Sequence, residues 1–230
     1  MAPLARYDEI ADWYEAYIQG EASPFSEQVR DAVRLLLGEG SGTCLDIGCG
    51  TGFYAAQLRE LGWTPVGVDL SQQQLLRARH QLPAAVADAE HLPIASASVD
   101  AAVSILCHTD VDDYAAVCLE AARALRPGGS FVHIGVHPCF TGWFADRSRP
   151  DSVIISTGYW DRERHFEAWS PHGVRARVGA KHVPLNDMLN AVATAGLSVA
   201  ETYEAGDPVP AQFGFRAVRP APAARIRGVG

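Results

Sequence analysis

The residues able to do chemistry gather where apolar runs end. The densest group is Cys44-Leu45-Asp46-Ile47-Gly48-Cys49-Gly50-Thr51-Gly52-Phe53-Tyr54. It is an apolar strand carrying an aspartate, then three glycines in five positions, then a helix expected to begin near Phe53. Glycines let the backbone turn through conformations a side chain forbids, and let a ligand approach the main chain closely. The free N–H groups at the start of the following helix face whatever sits in the crevice. This is a cradle for a nucleoside-containing cofactor. Asp69 ends a second apolar run, Asp88 a third, and Ser104 lies within a fourth.

A dinucleotide cradle reads G-x-G-x-x-G, with an acid about 20 residues further on for the ribose. Asp69 lies 21 residues after Gly48 and meets the second condition. Phe53 stands where the third glycine belongs, so the first condition fails. A purely structural glycine turn explains the glycines but not Asp46 and Asp69.

The elements that must position these groups follow from the hydrophobic rhythm. Residues 1–20 carry an aromatic face at helical spacing, broken at Ser23-Pro24-Phe25, and a second helix ends at Gly38. Strands at 44–47, 64–68, 84–87, 99–106 and 130–136 alternate with helices, and Arg126-Pro127-Gly128-Gly129 reads as a turn before the fifth strand. Such alternation implies a parallel sheet with helices on both faces and all strand C-termini on one edge. Asp46, Asp69, Asp88 and Ser104 then converge. Residues 137–182 lose the rhythm and are rich in aromatic side chains, which suggests a lid or a segment with short strands of its own. A last helix at about 185–195 precedes strands at 197–203 and 212–218, expected to pair as an antiparallel hairpin.

The bulk numbers narrow the function. A chain of 230 residues, 48% hydrophobic and 20% charged, fits a globular protein of one large domain. A net charge of −8 argues against nucleic acid, which needs a basic face. No run is long enough to span a bilayer, and the first residues lack the apolar core of an export signal. Five cysteines without a C-x-x-C pair read as reduced thiols. The expectation is a cytoplasmic monomer or homodimer without a membrane partner.

L-D-I-G-C-G-T-G, V-G-V-D-L-S, A-D-A-E-H-L-P and L-R-P-G-G-S-F, in this order over about residues 43–136, resemble the successive motifs of class I S-adenosylmethionine-dependent methyltransferases. The opening Y-D-E-I-A-D-W-Y-E-A-Y is similar to the N-terminal helix of the small-molecule branch. The resemblance implies a Rossmann-like, doubly wound α/β fold with a mostly parallel seven-stranded sheet and a C-terminal antiparallel hairpin. It implies one domain over 1–219, with 1–40 as a helical cap, 137–182 as a substrate-covering insertion and 220–230 as a flexible tail. By the same resemblance Asp46, Gly48, Cys49 and Gly50 surround the methionine part of the cofactor. Asp69 takes both ribose hydroxyls, with Leu70 on the adenine. Asp88 and the Ala89 N–H serve the adenine edge, the Ser104 main chain meets the methionine amine, and Tyr14, or in its place Tyr7, covers the carboxylate. A cationic sulfonium and ammonium suit carboxylates, where a phosphate would demand arginines.

The implied reaction moves a methyl group from S-adenosylmethionine to an O, N or C atom of a small, partly aromatic acceptor, leaving S-adenosylhomocysteine. Alignment alone supplies much of such a rate, and a base adds to it when the acceptor must lose a proton. His108 and His137, each following a strand, are the candidate bases; each has capping or packing as its alternative, and His182 opens the returning segment. His80, His91 and His172 read as surface residues, and no spacing suggests zinc. Two rival functions stand beside this one: a lyase, cyclase or isomerase using the same cofactor without transfer, and a nicotinamide-dependent oxidoreductase.

Overall fold

The computed structural model describes residues 4–20, 23–167, 169 and 173–221. His172 and residues 222–230, most of the expected tail, lie outside them. Helices α1 (Ala11–Gln19), α2 (Ser23–Leu37), α3 (Ala55–Glu60), α4 (Gln72–Ala78), α5 (Tyr114–Ala124), α6 (Arg175–Val178) and α7 (Leu185–Thr194) surround the strands. The strands are β1 (Thr43–Ile47), β2 (Thr64–Asp69), β3 (Ala84–Val86), β4 (Val99–Ile105), β5 (Leu125–Val136), β6 (Ala145–Asp146), β7 (Ile154–Ile155), β8 (Ser198–Ala205) and β9 (Gln212–Val218).

Seven of them form one sheet in the order β3-β2-β1-β4-β5-β9-β8. The first five in chain order run parallel; β9 is antiparallel to β5 and pairs with β8 as a hairpin. This is the doubly wound α/β sheet with the C-terminal hairpin that the strand rhythm implied. Its central strands are apolar throughout because helices cover both faces. Cys44, Val103 and Val132 face α2 and α3, where Val29, Val33, Leu36 and Leu58 close the layer. Leu45, Ile47, Ala102 and Phe131 face α5 and α7 together with Phe215. Each large side chain so buried contributes roughly 1.5–3 kcal/mol. The strand order reverses between β1 and β4, so a crevice opens at their carboxyl ends.

Side-chain caps mark two of the helix starts. The Ser71 hydroxyl accepts from Gln74 N, and the Asp113 carboxylate accepts from Ala115 N and Ala116 N. Three boundaries differ from the sequence expectation. Ser23-Pro24 opens α2 instead of breaking the chain ahead of it, in keeping with proline's fitness for a first helical turn. α3 starts at Ala55, after the glycine turn has closed through Gly52 N to Cys49 O. The Arg126–Gly129 turn lies inside β5: Val99 faces Leu125 but Ala101 faces Ser130, so three extra residues of β5 are looped out there. In the 137–182 stretch, β6 and β7 form a separate small antiparallel pair.

Candidate functional site

A cavity opens where the crevice was expected. Asp46, Gly48, Cys49, Gly50, Asp69, Leu70, Asp88 and Ala89 all line it, and from the other side Tyr7, Tyr14 and Ile18 of the N-terminal segment close over it. The turn works because of its backbone. Gly48, Gly50 and Gly52 have φ of +74°, +55° and +76°, the left-handed region that side chains resist. Gly48 N and Cys49 N both donate to Val68 O, at 2.8 and 3.0 Å, which bends the chain tightly across the end of β2. A Cβ on Gly50 would sit 2.5 Å from Gln74 Oε1. That oxygen is buried, belongs to a cavity-lining residue, and has no partner among the described residues.

Asp69 is fixed by both oxygens: Gly50 N donates to Oδ2 and Ser71 N to Oδ1, each at 2.8 Å. Burial pushes its carboxyl up to about 6 against those two bonds, and nearby Asp110 and Asp8 push the same way. Asp46 has no hydrogen bond to its carboxylate among the described residues, and burial, then the Asp69 charge, push it up to about 7. Two neighbouring carboxyls held up by burial in one cavity form a site that awaits positive charge and hydroxyl donors. Asp88 Oδ1 accepts from Glu90 N at 3.0 Å, which aims the following loop along the cavity wall.

The N-terminal segment is pinned as a cover. Asp8 Oδ1 accepts from the Ser71 hydroxyl at 2.6 Å and from Gln73 N at 3.0 Å, and Arg77 pairs with Asp12 and Glu15. Tyr7 and Tyr14 meet edge to face, 5.0 Å between ring centroids, and burial raises both phenols. The Arg177 guanidinium lies 4.2 Å from the Trp13 ring centre.

The remaining sequence candidates are placed elsewhere. Ser104 is buried inside β4 and does not line the cavity; Ile105, Leu106 and Cys107 do. Leu106 carries the signal that sequence reading lacked, a left-handed φ of +60°, which marks strain of the kind kept at ligand sites. His108 is 3% exposed, packs against His133 and Tyr114, and is pushed well down by burial, with His133 next in effect. His137 lies outside the cavity lining: its Nε2 meets Glu204 at 2.8 Å, and its Nδ1 accepts from Cys139 N at 3.0 Å. His182, at 7% exposed, sits among Trp143, Phe144 and Tyr159. Those aromatics, together with Trp169, pack on one another and do not line the cavity. The geometry therefore gives all three histidines packing positions. His80 and His91 are exposed, as expected. Among the described residues no group of three or more His, Cys, Asp or Glu could hold a metal ion. No described helix is long and apolar enough to cross a membrane.

A crevice at a topological switch point, with a glycine turn and an aspartate at each of three successive strand ends, defines a Rossmann-like nucleoside-cofactor protein. Comparison with known proteins narrows the class. Residues 45–133 match the family described as a methyltransferase domain. The chain is 43% identical over 129 residues to the biotin biosynthesis bifunctional protein BioHC of Cellvibrio japonicus, covering 54% of this chain and 24% of that one. It is 29% identical over 215 residues to the O-methyltransferase cnsE of Penicillium expansum, covering 87% of this chain and 68% of that one. Among solved structures, an S-adenosylmethionine-dependent methyltransferase from Mesorhizobium loti superposes with a TM-score of 0.68 at 25% identity, over 82% of this chain and 96% of that one. Against the curated relatives, then, the chain spans from about a quarter to two thirds of their length. These matches support a methyltransferase domain within residues 45–133, on the fold of the class I S-adenosylmethionine-dependent methyltransferases, whose cofactor is S-adenosylmethionine. These matches favour S-adenosylmethionine over the nicotinamide alternative.

Proposed function

We propose that the chain transfers the methyl group of S-adenosylmethionine to an O, N or C atom of a small-molecule acceptor. The relative matched over 87% of the chain is named an O-methyltransferase, which favours oxygen. The observation that carries the reading is the pair of buried, raised carboxyls, Asp46 and Asp69, lining one cavity with a left-handed glycine turn. Bare cofactor phosphates would be repelled there, whereas a sulfonium and an ammonium are attracted. The unpartnered Gln74 Oε1, held against the turn at Gly50, fits a bound group with a donor to offer.

In this reading Asp69 holds the ribose hydroxyls and Asp46 answers the positive charge of the methionine part. Leu70, Asp88 and Ala89 enclose the adenine, and Tyr14 closes the cover. The main chain around Leu106, turned out of strand geometry, takes the role expected of Ser104. The cofactor supplies an electrophilic methyl group on a sulfonium. The chain supplies alignment of donor with acceptor, worth roughly 7–11 kcal/mol in favourable cases, and exclusion of water under the N-terminal segment. Among the described residues the cavity lining offers no histidine as a base, which suits an acceptor that reaches the site already deprotonated, or a product that loses its proton to solvent.

Titration calorimetry with S-adenosylmethionine and with NAD tests the site: binding of the first alone is expected, and binding of NAD alone overturns the reading. Incubation with candidate acceptors then separates transfer from a lyase or cyclase reaction on the same fold, because only transfer yields S-adenosylhomocysteine and a product heavier by one methyl group.

A further inference from the structure

The charged lining of the cavity holds two arginines and six acids, and Glu90, Asp110 and Asp112 share the corner of the arginines. Asp46, Asp69 and Asp88 lie on the sheet side, whereas two arginines, Arg6 and Arg164, line it from the covering side. Arg6 belongs to the N-terminal segment and Arg164 to the stretch between β7 and α6, so they approach from the two elements folded over the loop that follows β4. Arg164 has a side chain only 11% exposed. Its Nη2 donates to the Asp110 carbonyl at 2.8 Å and lies 3.6 Å from Asp112 Oδ1. Its Nη1 is buried with no acceptor among the described residues.

The neighbouring carboxylates are already engaged. Asp110 Oδ1 takes Arg175 at 2.6 Å. Asp112 Oδ1 has Lys181 at 3.5 Å, and Glu90 Oε1 accepts from Asp112 N and Asp113 N at 2.7 and 2.8 Å. Arg175 and Lys181 thus offset Asp110 and Asp112 from outside the lining, so Arg6 and Arg164 are the cations left over beside Glu90. Burial, with the Arg6 charge acting in the same direction, holds the Arg164 guanidinium below its ordinary value against the pull of Asp110 and Asp112. A buried guanidinium N–H without a partner costs free energy until an oxyanion reaches it.

We infer that Arg164, assisted by Arg6, determines specificity by binding a carboxylate or phosphate-type oxyanion carried by the methyl acceptor. The inference rests on the methyl-transfer reading. The cavity then offers two arginines to the acceptor, opposite an acidic floor for the cofactor. Guanidinium suits this task because its fork matches an oxyanion's two oxygens. A site that leaves such a donor unpaired also rejects neutral analogues strongly.

The test uses the full chain saturated with S-adenosylhomocysteine, titrated by calorimetry with sodium malonate in one arm and inorganic phosphate in another, at constant ionic strength. Saturable binding of at least one anion is expected, and the arm that binds names the source of the oxyanion. Arg164→Met should weaken it tenfold or more and Arg164→Lys less, while Arg6→Gln weakens it several-fold and serves if Arg164→Met fails to fold. No saturable binding in either arm, or equal binding in all variants, overturns the inference. Affinity for S-adenosylhomocysteine itself is read on the same samples: its absence in the unaltered chain sinks the cofactor reading instead.

Discussion

Arg175 Nη1 donates to Asp110 Oδ1 at 2.6 Å, and the Tyr7 hydroxyl donates to the same oxygen at 3.3 Å. Through that one carboxylate oxygen α6, the loop after β4 and the N-terminal cover are joined at the wall of the cavity. The partners are mostly buried, with Arg175 and Asp110 side chains 10% and 21% exposed. Asp110 raises the Arg175 guanidinium while burial opposes it.

Removing one member of a buried pair leaves the other uncompensated, which costs about 3–5 kcal/mol. Arg175→Met should therefore lower the urea midpoint by a corresponding amount. It should also loosen the cover, so that S-adenosylhomocysteine leaves faster in stopped-flow measurements. An unchanged release rate would show that the cover does not depend on this pair.

Asp69→Ala removes a carboxylate whose two oxygens are aimed by Gly50 N and Ser71 N. Hydrogen bonds to a charged group contribute about 1.5–3 kcal/mol each, so cofactor affinity should fall roughly a hundredfold by calorimetry. His108→Ala should do the reverse of this. It empties a packed position beside His133 and lowers stability, while cofactor affinity stays within a few-fold. Normal cofactor binding by Asp69→Ala would show that the crevice was wrongly assigned.

Gly50→Ala combines two effects that a second glycine separates. Gly50 has φ +55° and a Cβ position 2.5 Å from Gln74 Oε1, whereas Gly196 has φ +75° with nothing within 4 Å. Both substitutions introduce left-handed strain of about 1 kcal/mol, visible as a lower thermal midpoint. Only Gly50→Ala should also lose cofactor affinity, by tenfold or more, because its methyl group displaces Gln74 Oε1 at the cavity wall. Equal affinities for the two variants would mean that the turn does not contact the cofactor.

What the sequence showed of this site is what local pattern can carry. Asp46, Asp69 and Asp88 were legible because each lies at or near the end of an apolar run, and parallel strands bring such ends to one edge. The pairing of Tyr7 with Asp110 spans 103 positions and that of Arg175 with Asp110 spans 65, with no periodicity to connect them. His137 looked free at a strand end because its partner, Glu204, lies 67 residues away on β8. The aromatic residues after β5 were visible as a cluster, but whether a cluster lines a cavity or packs on itself is decided by tertiary contacts. Leu106 and not Ser104 lines the cavity for a related reason: the departure from strand geometry at Leu106 has no glycine to announce it.

The pH dependence of cofactor binding follows from the raised carboxyls, about 7 for Asp46 and about 6 for Asp69. In the cofactor-free protein both bind protons more tightly than an ordinary carboxyl at about 4. A sulfonium with an ammonium prefers the ionised forms, so affinity should rise with pH through the window from about 6 to 7 and level off near 8. The loss from pH 8 to pH 6 should be roughly tenfold, since a tenfold change in proton affinity is worth about 1.4 kcal/mol. The same linkage fixes the sign for stability. Without cofactor the folded state holds extra protons between about 4 and 7, so these two groups lower stability as pH rises across that interval. With cofactor saturating, that loss is offset by the charges it brings. The gain in thermal midpoint on adding S-adenosylmethionine should thus be larger at pH 8 than at pH 6. His108 and His133, buried and held low, work the other way on stability, since folding is favoured above the ordinary histidine value and weakens below it. They act with and without cofactor alike, so they cancel in the difference. A cofactor-induced shift that is flat between pH 6 and 8, or larger at pH 6, would mean that Asp46 and Asp69 do not meet the cofactor's positive charge.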